Sequence, residues 1–379
     1  AGSASRSTLV LEGADEAGKP AGAEQVTWST NVGVIEAQPS PGPGRYAADG
    51  SRMCAMDVQG SVWVWDAATR KEVSQFKVPG KLHPHVALSP DGKQLAVAMD
   101  NTLRVFQVEG NVELWKWKGE NLIHQLAFSP SGKTMALLTC PAPIYREDTP
   151  QKAELVLLEG ENGKVRLREP LAESKYRFVG WMSFVAEGKL LVFDSAGQKL
   201  SPERVRIPTF LAFDADRGER LAEISVTNPP EKQVGEGPHA LSPDGRLTVF
   251  SHPHGNSRLE IRRIDDGTST NVGTTTGQAF GFTFSHDSKR LAYFTSEMNL
   301  DLDDLKLHET LPTFGPMMAL AGKSQPYLLQ AHVVDVTTGK ELATFRGYGG
   351  RAGQLRFSPD GKTLMALGGN YKEQHPTPV

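Results

Sequence analysis

Cysteine, excess basic charge and long apolar runs are all scarce in this chain. Its only cysteines, Cys54 and Cys140, lack C-x-x-C spacing, so neither a disulfide framework nor a cysteine-based zinc site is indicated. The net charge of −3 provides no basic excess to neutralise phosphates, and we expect no nucleic-acid partner. No stretch approaches the length of apolar sequence that spans a bilayer, so no transmembrane segment is expected.

Motifs that would mark a catalytic site are also missing. The sequence has no Gly-x-Ser-x-Gly nucleophile elbow, no phosphate-binding loop and no His-Glu-x-x-His motif. His83 and His85, like His252 and His254, could place two imidazoles on one strand face, but no motif fixes a carboxylate beside them. We therefore expect no metal site and no cofactor, and the balance favours a protein that is not an enzyme.

A tight-turn signature recurs seven times along the chain. Pro presets φ for a type I turn, Asp suits the next position, and Gly accepts the left-handed conformation that follows. Each copy therefore predicts a hairpin, and the apolar runs that follow most copies predict strands buried on both faces. The copies are Ala48-Asp49-Gly50-Ser51, Ser89-Pro90-Asp91-Gly92, Ser129-Pro130-Ser131-Gly132, Ala186-Glu187-Gly188-Lys189, Ser242-Pro243-Asp244-Gly245, Ser285-His286-Asp287-Ser288 and Ser358-Pro359-Asp360-Gly361.

A second signature follows each of the first six turns. It is a short apolar strand that ends in a polar residue and leads through another turn into one more strand. Four strands per repeat result, named a to d in chain order. The copies are Trp63-Val64-Trp65-Asp66, Arg104-Val105-Phe106-Gln107, Val156-Leu157-Leu158-Glu159, Leu211-Ala212-Phe213-Asp214, Ile261-Arg262-Arg263-Ile264-Asp265 and Val333-Val334-Asp335-Val336.

These repeats resemble those of bacterial WD-repeat-like β-propellers. Trp65-Asp66 is the one literal instance of the family dipeptide, and Ser-Pro-Asp-Gly turns are shared with the propellers of Tol systems. The resemblance covers nearly the whole chain and implies an all-β fold, a seven-bladed β-propeller with four antiparallel strands per blade. The resemblance says little about function, because this superfold hosts unrelated activities.

The two ends of the chain are expected to share the last blade. After the seventh turn only one more strand follows, so strands c and d of that blade are missing. Residues 7–12 and 25–29 have the pattern of strands c and d, which predicts a ring closed by N-terminal strands that complete the last blade. Residues 1–6 are predicted to be a tag or linker, residues 7–371 a single propeller, and residues 372–379 a tail. The last blade is predicted to consist of residues 352–368 together with residues 7–30.

Loop lengths predict which face binds a partner. In the propeller pattern that the resemblance implies, b-to-c loops emerge opposite the a-to-b turns, and they are enlarged at residues 140–152, 195–207 and 296–329. Such insertions often build a binding face, although they can equally shield blade edges. The main hypothesis is a monomeric, non-catalytic scaffold that binds a protein or peptide on this face. The candidate contact residues, of types enriched in interface cores, are Tyr145, Arg146, Met317, Met318 and Tyr327.

Two alternatives place function at the central channel. One is a channel-mouth enzyme of lactone hydrolase or lyase type that uses His85, His124 and His239, which precede or begin innermost strands. These histidines stand six, seven and five residues before Asp91, Ser131 and Asp244, so strand alternation predicts no common site. The other alternative is a sensor domain of a larger bacterial protein that binds a small ligand in the channel.

One aromatic pair allows two interpretations. Trp115 and Trp117 alternate with Lys116 and Lys118 on a predicted outermost strand, which puts both indoles on one sheet face. They could form an exposed aromatic patch, but packing between blades is favoured because aromatic side chains are usually buried.

Overall fold

The structure, a computed structural model of the chain, is a β-propeller of four-stranded antiparallel sheets. The ranges it describes are 8–12, 26–29, 44–56, 60–69, 71–79, 85–141, 151–174, 181–193, 199–200, 206–207, 209–226, 239–252, 258–275, 278–298, 327–349, 351–361 and 363–369. No helix within these ranges is long and apolar enough to cross a membrane.

Six blades each consist of strands that follow one another along the chain. Blades 1 and 2 contain β3 (Gly44–Tyr46), β4 (Arg52–Met56), β5 (Ser61–Asp66), β6 (Glu72–Lys77), β7 (His85–Leu88), β8 (Gln94–Met99), β9 (Thr102–Gln107) and β10 (Val112–Lys118). Blades 3 and 4 contain β11 (Leu122–Phe128), β12 (Thr134–Cys140), β13 (Gln151–Glu159), β14 (Val165–Ser174), β15 (Trp181–Phe184), β16 (Lys189–Phe193), β19 (Thr209–Asp214) and β20 (Glu219–Ser225). Blades 5 and 6 contain β21 (Ala240–Leu241), β22 (Leu247–His252), β23 (Arg258–Arg263), β24 (Ser269–Thr274), β25 (Gln278–Phe284), β26 (Arg290–Met298), β27 (Tyr327–Asp335) and β28 (Glu341–Gly349).

One further four-stranded sheet joins the two ends of the chain. This terminal sheet has the order β29 (Arg351–Phe357), β30 (Thr363–Gly369), β1 (Thr8–Glu12) and β2 (Val26–Ser29). β1 pairs antiparallel with β30, and Leu9 lies opposite Ala366. Seven blades were expected, whereas six are complete within consecutive strands. The difference arises because, in the described part of the chain, β30 alone follows the last a-to-b turn.

The first strand of each sheet is the innermost. β3 contacts β7, β7 contacts β11, and β11 contacts β15; β21 contacts β25, β25 contacts β29, and β29 contacts β3. Separate apolar clusters fill the spaces between neighbouring blades, as when Cys54 and Val64 of blade 1 pack with Val86 and Leu95 of blade 2. The core is therefore divided among the interfaces between sheets, and the innermost strands surround a central channel.

The a-to-b turns hold themselves together with repeated hydrogen bonds. In blade 2 the Gly92 amide donates to the Ser89 carbonyl at 2.9 Å, and the Ser89 hydroxyl donates to Asp91 at 2.7 Å. Gly92 has φ of +66°, a conformation that glycine adopts without strain. Blades 5 and 6 and the terminal sheet repeat the serine–aspartate bond, which explains why this sequence signature predicts the turns.

A side-chain amide links the innermost strands of blades 3 and 4. The Gln125 amide nitrogen donates to the Met182 carbonyl at 2.8 Å, and its amide oxygen accepts from the Met182 N–H at 2.8 Å. Met182 is buried, so its backbone groups would lose both partners in Gln125→Ala. We expect this variant to lose about 1–3 kcal/mol in urea unfolding. Gln107→Ala, at an exposed position, should stay within about 0.5 kcal/mol of wild type, and equal stability of the two variants would contradict the assignment.

Candidate functional site

The two ends of the blades differ in the length of their connections. The a-to-b turns are short, as from Leu88 to Gln94, whereas the b-to-c connections cover residues 141–150 in blade 3, 194–208 in blade 4 and 299–326 in blade 6. The blade 4 connection includes a two-stranded hairpin of β17 (Lys199–Leu200) and β18 (Arg206–Ile207). Because each blade is an antiparallel meander, b-to-c connections leave the sheet at the end opposite the a-to-b turns.

Most of the predicted partner-binding residues lie outside the described part of the chain. Tyr145 and Arg146 belong to the blade 3 connection, and Met317 and Met318 belong to the blade 6 connection. Tyr327 is the first residue of β27, where its backbone pairs with Met298 at the end from which the blade 6 connection leaves. Their role as contact residues stays a prediction.

The three histidines of the enzyme hypothesis lie on the innermost strands or next to them, at three different positions. His85 begins β7 opposite Ala98. His124 lies at a bulge of β11, where the register shifts between Ile123 and Gln125. His239 precedes β21, and its backbone N–H donates to the Val249 carbonyl at 3.0 Å. The three histidines therefore do not occupy equivalent strand positions, and the strand register does not bring their imidazoles together.

Two of these histidines have a ring nitrogen that solvent does not reach. The Nε2 atoms of His124 and His239 are shielded from solvent. The His239 ring stacks on Phe282, with ring centroids 5.1 Å apart, so it packs between blades 5 and 6. Within the described ranges no cluster of three His, Cys, Asp or Glu side chains could hold a metal ion.

The tryptophan pair packs between blades 2 and 3. Trp115 and Trp117 contact the apolar cluster that contains Leu103, Val156 and Leu158. The Trp115 indole N–H donates to the Gly160 carbonyl at 3.2 Å. The pair is therefore part of an interblade contact, as favoured from the sequence.

The Trp65-Asp66 dipeptide stabilises its own blade. Trp65 is buried, and the Asp66 carboxylate accepts the Thr69 N–H and the Thr69 hydroxyl, each at 2.8 Å. These bonds, with Arg52 as a further partner, hold the pKa of Asp66 below its usual range. Asp335 bonds Thr338 in the same way in blade 6, so the residue fixes a c-to-d turn.

Sequence reasoning missed two arginines, Arg45 and Arg356, that occupy the same position of neighbouring innermost strands. Each stands five residues before the positive-φ residue of an a-to-b turn, Gly50 in blade 1 and Gly361 in the terminal sheet. Alignment of the seven turns would have found them, because the same position is small in the other five repeats: Ala87, Ala127, Ser183, Ala240 and Thr283.

Comparisons with known proteins agree on the fold. No protein-family model matches the chain, and no curated protein sequence matches it. The β-propeller domain of Cps50 (Swd1) from Myceliophteria thermophila is similar, with a TM-score of 0.54, 13% identity, and coverage of 88% of this chain and 98% of that one. Hydrazine synthase of Kuenenia stuttgartiensis is similar with a TM-score of 0.55, 17% identity, and coverage of 93% and 97%.

The fold is a β-propeller. At these identities the similarity shows the fold alone, and neither neighbour carries its activity over to this chain. WD-repeat membership and bacterial origin gain no support from sequence families.

Proposed function

We propose that this propeller is a protein-interaction module that binds a protein or peptide on the face formed by its long b-to-c connections. The observation that carries the proposal is the contrast between the two faces. The a-to-b turns are short and are closed by hydrogen bonds within each turn. The opposite face carries connections of ten residues or more in blades 3, 4 and 6. Binding residues concentrate on loops held by a rigid scaffold, and propellers commonly act as interaction scaffolds.

The terminal sheet, in this proposal, is the seventh blade of a closed ring. Its innermost strand β29 contacts β25 of blade 6 and β3 of blade 1. Leu355 packs in one apolar cluster with Ala292 and Phe294 of blade 6, and the Arg290 guanidinium donates to the Gly361 carbonyl at 3.0 Å. Closure leaves no open sheet edge inside the ring, which supports a monomeric scaffold.

Loop replacement tests the binding face. Segments 142–150 and 301–325 would be replaced by short Gly-Ser linkers in one variant, and capture of partners by the purified wild-type chain would be compared with capture by this variant. We expect the loop variant to lose at least one partner that wild type retains, because the contact surface is removed while the blades remain.

A matched control changes the opposite face. Lys93 and His286 are exposed on a-to-b turns, so Lys93→Glu with His286→Glu alters surface charge without altering the long connections. This control should retain every partner. Full retention by a folded loop variant, with loss in the turn-face control, would place binding on the short-turn face instead.

A sensor that binds a small ligand in the central channel is a second candidate function, and it requires convergent polar groups around the channel. The channel-mouth enzyme ranks below it, because His85, His124 and His239 lie at different positions on their strands.

A further inference from the structure

The a-to-b turn of blade 3 lacks the aspartate that closes the comparable turns. In blades 2, 5 and 6 and in the terminal sheet, the first serine of the turn donates to an aspartate two residues later in the same turn. Blade 3 has Ser131 at that aspartate position. Its turn therefore has no carboxylate of its own to accept the hydroxyl of its first serine, Ser129.

A carboxylate from the next blade takes this place. Asp216, in the c-to-d turn of blade 4, accepts the Ser131 hydroxyl through Oδ2 at 2.7 Å. Its Oδ1 atom accepts the Ser129 hydroxyl at 3.2 Å and the Thr134 hydroxyl at 2.9 Å. Ser129 and Thr134 are both buried, so a residue of blade 4 provides hydrogen bonds that buried side chains of blade 3 need.

An arginine of blade 3 binds the backbone of the same blade 4 turn. Arg166, on β14, donates from Nη1 to the Asp216 carbonyl at 2.6 Å and to the Thr134 hydroxyl oxygen at 2.8 Å. The Thr134 hydroxyl also lies 3.1 Å from the Ala215 carbonyl. The carboxylate and the backbone carbonyl of Asp216 are therefore both bound by blade 3.

The surroundings of Asp216 favour its ionised form. Burial raises the pKa of Asp216, but the three hydroxyl hydrogen bonds and the charge of Lys133 outweigh burial and leave the pKa below its usual value. The other charged side chains at the junction are Arg166 and Arg217, and Arg217 pairs with Asp214 at 3.5 Å. The stabilisation from the ionised carboxylate is present above about pH 5 and is lost as the pH falls through the lowered pKa.

We propose that Asp216 is an acid-released latch, which joins blades 3 and 4 while its carboxylate is ionised and frees them when it is protonated. Protonation replaces an acceptor site by an O–H donor and ends the charge assistance of the remaining hydrogen bonds, which are weaker without it. The latch lies at the a-to-b turn end of the two blades, opposite their long connections. It is therefore independent of the proposed partner-binding face, and either can fail without the other.

Asp216→Asn imitates the protonated carboxyl at neutral pH, and amide hydrogen exchange of the full chain shows whether the junction opens. At about pH 7, peptides covering residues 129–134 and 214–219 should exchange about threefold faster or more in this variant than in wild type, because local opening becomes easier. Peptides from blade 1 should be unchanged. Between about pH 7 and about pH 3, the thermal unfolding midpoint of the variant should fall less than that of wild type, because one titrating carboxylate is gone.

Two control variants separate the link between blades from the closure of a single turn. Asp91→Asn removes a carboxylate that closes the blade 2 turn from within, so it should leave exchange of residues 214–219 unchanged. Ser131→Asp with Asp216→Ala gives the blade 3 turn an aspartate of its own, as the other turns have. In this double variant, exchange of residues 129–134 should return toward the wild-type rate, while residues 214–219 should still exchange fast.

The outcomes distinguish a latch from a local turn contact. Faster exchange of both segments in Asp216→Asn, with recovery of residues 129–134 alone in the double variant, supports the latch. Wild-type exchange of residues 214–219 in a folded Asp216→Asn variant, or a fall of its unfolding midpoint in acid as large as that of wild type, would overturn it. Recovery of both segments in the double variant would also overturn it, because Asp216 would then serve only the blade 3 turn.

Discussion

Removal of residues 1–30 should make the protein aggregate, or lower its midpoint of thermal unfolding by about 10 °C or more. β1 supplies hydrogen-bond partners to β30 along five residue pairs, from Thr8 with Leu367 to Glu12 with Thr363, and β2 pairs with β1. Without them β30 becomes an open edge strand, and such edges promote association between chains. Differential scanning calorimetry and size-exclusion chromatography would measure the two effects.

The control for this deletion keeps all four strands of the terminal sheet. A chain without residues 1–6 and 372–379 keeps β1, β2, β29 and β30, and its unfolding midpoint should match that of the full chain. A soluble chain without residues 1–30 and with an unchanged midpoint would contradict closure by the N-terminal strands.

Glu260→Leu should destabilise the fold by about 3–5 kcal/mol, because it leaves a buried arginine without its ion-pair partner. Glu260 and Arg262 are both buried on β23, and the Arg262 guanidinium donates to the Glu260 carboxylate through Nε at 3.0 Å and also through Nη2. They lie on the opposite face of the strand from Leu259 and Ile261, which pack toward blade 6. Urea unfolding with a fixed m-value would give the change in free energy.

The double variant separates loss of charge pairing from loss of packing. Glu260→Leu with Arg262→Met removes both charges and keeps apolar volume, so it should recover most of the stability that the single variant loses. Arg263→Met, at an exposed neighbour on the same strand, should have little effect. A double variant as unstable as Glu260→Leu would show that the cost comes from packing and not from an uncompensated charge.

The repeated turns made most of the fold predictable. Ser89, Asp91 and Gly92 each have a local physical role in one hairpin, so their recurrence could be read without knowledge of distant contacts. Strand ends were less predictable. The loop expected at residues 296–329 is shorter, because β26 continues to Met298 and β27 already begins at Tyr327. Ser296 and Glu297 pair with Leu329 and Leu328 in these strands, although their polar character suggested a loop.

The candidate sites were harder to predict because they depend on differences between repeats. Histidine drew attention as a residue type, yet His85, His124 and His239 occupy different strand positions, and a bulge at His124 changes the alternation. Arg45 and Arg356 looked ordinary in sequence, since their proximity depends on how β29 packs beside β3. The sequences of the long connections do not recur from blade to blade, so their contact residues could be proposed only from residue type.

The proposed scaffold depends on the terminal sheet closing the ring between blade 6 and blade 1. Formation of a disulfide in Leu9→Cys with Ala366→Cys tests this pairing most directly, because residues opposite each other in neighbouring strands lie within the range that a disulfide spans. Under mild oxidation, we expect this variant to crosslink within one chain and to unfold at a higher temperature than its reduced form. Leu9→Cys with Met365→Cys, whose side chains alternate to opposite faces of the sheet, should not crosslink. No crosslink in the folded Leu9 and Ala366 pair, or equal crosslinking in both variants, would contradict the closed ring.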